Sequence, residues 1–67
     1  MFKVDSGLVR RMVFERGLTL REFAKAAGLN GLTATKLVRD NATASVKTIS
    51  TLARFFGVDG NSLILKS

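Results

Sequence analysis

The chain has 67 residues, 46% of them hydrophobic and 24% charged, with eleven Lys and Arg against five Asp and Glu for a net charge of +6 and a pI near 11. That suffices for one small domain, expected to span 1–67, and is too apolar for a disordered tail. Cysteine and histidine are absent, which excludes disulfide staples and the usual transition-metal sites, and no apolar run reaches the ~18–20 residues of a membrane span.

Several function classes drop out on the same grounds. Five scattered carboxylates, with no His, Cys or Tyr, assemble no nucleophile–base pair, which argues against an enzyme. No metal, cofactor or small-molecule ligand is expected. The opening Met1-Phe2-Lys3-Val4 lacks the apolar core of a signal peptide, so a cytoplasmic protein is expected. The basic excess points to a polyanionic partner.

In chain order, residues 1–4 read as extended or frayed. Asp5 or Ser6 can cap a first helix over roughly 6–16, with Val9, Met12 and Val13 facing inward, Leu8 flanking them and Gly17 ending it. On this helix Arg10, Arg11 and Arg16 read as solvated, with Arg11 and Glu15 paired at i, i+4. Thr19-Leu20-Arg21-Glu22 is a capping box that starts a second helix over about 20–27. Leu20, Phe23, Ala24 and Ala27 share one face of it. Gly28 ends that helix, and Asn30 can cap a third over about 31–39, whose narrow apolar stripe is Ala34, Leu37 and Val38. Residues 40–44 read as a loop. Ser45 caps a fourth helix to about 56, with Ile49, Leu52, Ala53 and Phe56 inward and Gly57 closing it. The last stretch, 62–66, is too short for periodicity to decide between a helical turn and a strand.

The expected fold is therefore all-α: a compact bundle of four to five short helices joined by short loops. Within it, 19–39 forms a helix-turn-helix, in which Ala24 and Ala27 permit close approach, Gly28 supplies a turn at positive φ and Leu29 fills the angle. Gly31, Leu32, Thr35, Lys36 and Arg39 then point outward from the third helix. A free helix face that is polar and basic can enter a DNA major groove, where short hydroxyl side chains reach base edges and methyl groups touch thymine.

The stretch "GLTLREFAKAAGLNGLTATKL" resembles the phage Cro and repressor, or XRE-type, helix-turn-helix family, whose pattern runs roughly G-L-T-x-x-x-L-A-x-x-x-G-V-S-x-x-T-I-S-x-I. Gly17, Leu18, Thr19, Ala24 and Gly28 match outright; Phe23, Leu29, Asn30 and Leu37 match conservatively. The segments "VDSGLVRRMVFERG" and "SVKTISTLARFFGVDGNSL" resemble the family's first and fourth helices. The resemblance implies a lambda-repressor-like fold and a sequence-specific DNA-binding regulator, a repressor of phage or mobile-element type at the bacterial nucleoid. A homodimer would set two third helices about 34 Å apart on a pseudo-palindromic operator.

Carried over by position, the resemblance makes Asn30, Gly31, Leu32, Thr35 and Lys36 the base readers. It makes Thr19, Arg21, Thr33, Arg39, Asn41, Lys47 and Thr48 the phosphate contacts. Between 18 and 54 six cations face two carboxylates, a net +4, so most of the excess lies in that segment. The chain departs from the family at three places. Leu20 replaces a common glutamine and is expected to pack inward. Gly31 and Leu32 replace larger polar readers, and Val13 replaces an arginine that would pair with Glu22. Phe14, Phe55, Ile64 and Leu65 fall beside or beyond the core stripes, and Phe55, Ile64 and Leu65 form a candidate dimer surface. The alternative is an interaction module on the same scaffold, an antitoxin or small inhibitor of another regulator that uses this apolar end.

Overall fold

The computed structural model describes residues 1–65; Lys66, the end of the last predicted element, lies outside them. Four helices carry the fold: α1 (Ser6–Glu15), α2 (Leu20–Ala27), α3 (Gly31–Leu37) and α4 (Val46–Phe56), followed by a 3-10 turn at Gly60–Leu63. Two strands, β1 (Phe2–Lys3) and β2 (Thr43–Ala44), pair antiparallel with Phe2 opposite Ala44 and Lys3 opposite Thr43. The all-α class is right, with this short ladder as its addition.

Local chemistry explains the helix starts. Asp5, not Ser6, caps α1, its carboxylate accepting from the Leu8 N–H at 3.1 Å. The capping box of α2 is complete: the Glu22 N–H donates to the Thr19 hydroxyl oxygen at 3.1 Å, and the Thr19 N–H donates to Glu22 Oε1 at 2.9 Å. Asn30 Oδ1 accepts from the Thr33 N–H at 2.7 Å to open α3, and Ser45 opens α4. Gly28 ends α2 at φ +73°, a left-handed conformation that costs most residues roughly 1–2 kcal/mol.

One core joins these elements. Phe23, Leu37, Leu52, Leu63, Val4 and Val9 are its largest fully buried side chains. Ala24 and Ala34 are buried too, and α2 packs chiefly on α3, so small residues let the two helices cross closely. Phe23 stacks on Phe56 with ring centroids 5.7 Å apart, and lies 5.9 Å from Phe55.

At the chain ends the structure decides between the alternatives that the sequence leaves open. Residues 2–4 are extended and paired: the Val4 N–H donates to the Ala42 carbonyl at 2.8 Å, and the Leu65 N–H donates to the Lys3 carbonyl at 2.9 Å. Val4 forms a bridge with Ile64, so the final stretch is both a helical turn and a strand partner. Residues 43–44 of the predicted loop are β2, and α3 stops at Leu37, two residues early, because the chain must swing out to reach β1. Asn41 makes that swing at φ +64°, a conformation asparagine tolerates better than most non-glycine residues.

Arg10 on α1 and Arg16 just past its end are exposed, as expected, but each also bonds to a distant backbone carbonyl. Arg10 donates to the Val38 carbonyl at 3.0 Å and lies 3.6 Å from the Asp40 carboxylate. Arg16 donates to the Phe56 carbonyl at 3.0 Å, with its guanidinium 5.4 Å and 5.3 Å from the ring centroids of Phe55 and Phe56. Each cation therefore sits at the negative end of a helix, Arg10 at α3 and Arg16 at α4. Among the described residues Arg11 and Glu15 form no ion pair.

Candidate nucleic-acid interface

α3 stands as a ridge between grooves. On its α2 side lies a groove of about 670 Å³ lined by Leu20, Arg21, Lys25, Gly31, Leu32 and Thr35, among others. On the other side Thr33, Lys36, Thr43, Ser45 and Thr48 line a second groove, joined by Met1. Lys36, Arg39 and Asn41 line a third, over the turn after α3. The sequence-predicted residues Arg21, Gly31, Leu32, Thr33, Thr35, Lys36, Arg39, Asn41 and Thr48 are thus gathered around one helix. Thr19, Asn30 and Lys47 are exposed and line none of the three grooves.

The ridge is uncovered. Leu32 is 76% exposed, an unusual place for a leucine, and Asn30, Gly31 and Lys36 are exposed with it. Thr33 and Thr35 are half-buried. Among the described residues the side chains of Arg21, Lys36, Arg39 and Lys47 make no hydrogen bond or ion pair. Their charges are free for an outside partner, unlike those of Arg10 and Arg16.

Several predicted readers already hold bonds. The Thr35 hydroxyl donates to the Gly31 carbonyl at 2.8 Å, and Asn30 Oδ1 serves the α3 cap. Thr19 and Glu22 hold each other, and the Thr19 N–H at its carboxylate, with a further bond from the Thr19 side chain, keeps the Glu22 carboxyl below its usual range.

Leu20 differs from its sequence reading. It is 40% exposed and lines the groove between α2 and α3 instead of joining the core. The same groove gathers Lys25, which had no assigned role, although its i, i+4 spacing from Arg21 marks a shared helix face. Met1, Thr43 and Ser45 reach the second groove only through the β1–β2 pairing, which no local pattern announces. Phe55 is half-buried against Phe23 and Phe56, Ile64 is half-buried beside Val4, and Leu65 is 48% exposed. Phe14 is 82% exposed.

No group of acidic, His or Cys side chains among the described residues could hold a metal ion, and no described helix is long and apolar enough to cross a membrane. No curated protein and no solved structure matches the chain at a significant level. A family model does: the model described as helix-turn-helix matches residues 9–63, from the middle of α1 to the end of the 3-10 turn. That match spans α2, Gly28 and α3 in the order and geometry described above, and the family is one of DNA-binding domains, not of enzymes. The chain belongs to the XRE-type, Cro-like helix-turn-helix family of DNA-binding regulators.

Proposed function

We propose that this protein is a sequence-specific transcriptional repressor of phage or mobile-element type, acting in the bacterial cytoplasm at the nucleoid. Residues 1–67 work as one domain whose α3 enters the major groove of an operator. Asn30, Gly31, Leu32, Thr35 and Lys36 face base edges. Thr19, Arg21, Thr33, Arg39, Asn41, Lys47 and Thr48 hold the flanking phosphates. The observation that carries this reading is the exposed α3 ridge, bordered by Arg21, Lys36 and Arg39 with no protein partner among the described residues.

Two copies bind a pseudo-palindrome, each α3 in successive major grooves about 34 Å apart. The apolar end bearing Phe55, Ile64 and Leu65 is the proposed contact between copies, and the half-exposed Leu65 supports it.

Fluorescence-polarisation titration against duplexes selected from a random pool tests the reading. A selected duplex should bind about 10³-fold or more tighter than random sequence at physiological salt. With five or so phosphate contacts per subunit, log affinity should fall against log salt with a slope of about −5 per subunit. Equal affinity for selected and random duplex removes sequence-specific regulation. Sedimentation that shows a monomer both free and on DNA removes the dimer.

A further inference from the structure

The chemistry left on α3 after its internal bonds are counted restricts which bases it can select. Thr35 uses its one hydroxyl proton on the Gly31 carbonyl at 2.8 Å, leaving a methyl group and oxygen lone pairs. Asn30 uses Oδ1 on the Thr33 N–H at 2.7 Å; an N–H partner fixes oxygen as the facing atom, so the amide NH₂ remains. Gly31 contributes no side chain, and a Cβ placed there would meet nothing within 4 Å. Leu32, 76% exposed, and Leu20, 40% exposed, contribute only methyl groups to the groove they share with Thr35. Lys36 is a donor only.

The reading face thus offers the Asn30 amide and Lys36 as donors, three methyl-bearing side chains, and few acceptors: the Thr35 oxygen and the second lone pair of Asn30 Oδ1. The nearest carboxylates do not change this balance. Glu22 is held by Thr19, and Asp40 sits in the turn beside Arg10. Adenine and cytosine present exocyclic amines in the major groove and ask for acceptors. Guanine presents O6 and N7, and thymine presents O4 and a C5 methyl.

We infer that the protein selects its half-site through thymine methyl groups seated in the groove of Leu20, Leu32 and Thr35, next to a guanine whose acceptors face Lys36. The inference rests on the base-reading assignment proposed above and narrows it to a base class. The methyl group itself is the recognised feature, so 5-methylcytosine presents the same contact as thymine at that position.

The test uses the full chain and a duplex selected from a random pool. Each thymine of the half-site is replaced singly by uracil, which removes only the methyl group, and affinities are measured by polarisation at fixed salt. At least one replacement should weaken binding about threefold to tenfold, the scale of one buried methyl. The same replacement should be neutral in Leu32→Ala, an exposed substitution whose fold is checked by its thermal melt. At the sensitive pair, cytosine should bind poorly and 5-methylcytosine should recover most of the loss. Replacing the adjacent guanine by 7-deazaguanine should cost several-fold in the parent chain and nothing in Lys36→Ala. A preferred site indifferent to every uracil replacement, or built of G·C pairs alone, overturns the inference and leaves sequence-specific binding standing. A pool that yields no preferred site overturns the base-reading assignment and this inference with it.

Discussion

Arg10 on α1 and Arg16 just past its end carry the same charge as Lys36 and Arg39 beside the third groove, yet the fold treats the two pairs oppositely. The first pair is bound to backbone carbonyls at helix ends: Arg10 to Val38 over a separation of 28 residues, Arg16 to Phe56 over 40. The second pair, exposed like the first, makes no protein contact through its charge among the described residues. Cations committed to helix C-termini hold elements together, and cations left unpaired around one ridge are the ones the proposed function assigns to DNA. Net charge alone does not separate these uses.

The comparison breaks most visibly at Arg16. Arg16→Ala removes a charged hydrogen bond to the Phe56 carbonyl and the cover over two aromatic rings. It should cost about 1.5–3 kcal/mol, and each kcal/mol lowers the melting temperature by roughly 4–8 °C in a domain of this size. DNA affinity, measured where the variant remains folded, should stay within about twofold of the parent. A large affinity loss with an unchanged melt would place Arg16 with the DNA-facing cations.

Lys36→Ala should give the opposite pattern. Its melting temperature should hold, while affinity for a selected duplex falls by about 1–3 kcal/mol and discrimination against random sequence narrows. A fall in stability without a change in DNA binding would show that Lys36 is bound into the fold.

Arg10→Ala should be milder than Arg16→Ala, at about 1 kcal/mol. Its carbonyl bond is exposed, and its ion pair with Asp40 has side chains 52% and 85% exposed. Asp40→Asn sharpens the point, since Asp40 touches both regions: it pairs with Arg10 and lines the groove of Lys36 and Arg39. Stability should change by less than about 0.5 kcal/mol, and affinity for any duplex should rise modestly as a negative charge leaves the proposed DNA-facing surface.

The smallest effect belongs to Glu22. Its folded-state pKa is lowered by the Thr19 N–H, so the ionised form stabilises α2. That stabilisation is complete above the usual glutamate value of 4.5 and is lost as pH falls through the lowered folded value. Glu22→Gln keeps an acceptor for the capping box and should remove this part of the acid dependence, leaving the neutral-pH melt nearly unchanged. Melting curves between neutral and acidic pH read both.

Much of the fold was legible in the residues. The caps at Thr19, Asn30 and Ser45 join groups three apart in the chain, and Gly28 answers to its own φ. Amphipathic spacing correctly predicted Phe23, Ala24, Leu37, Ile49 and Leu52 as core. Less was legible where strands are two residues long. Val4, Ala42, Ala44 and Leu63 are buried, yet no periodic pattern marks them, because their burial follows from the clamp of β1 between β2 and the tail. Leu20 misled for a related reason: it lies on the apolar face of α2, but at the first turn that face overhangs the groove instead of the core.

The candidate site divides the same way. The sequence by itself determined where helices begin and turn, and which cations lie in the helix-turn-helix segment, because capping and backbone conformation act over a few residues. Only the tertiary structure decided which arginines are engaged and which remain free, and how Met1, Thr43 and Ser45 come to flank α3. Those outcomes depend on groups far apart in the chain, whose meeting is set by how the helices pack.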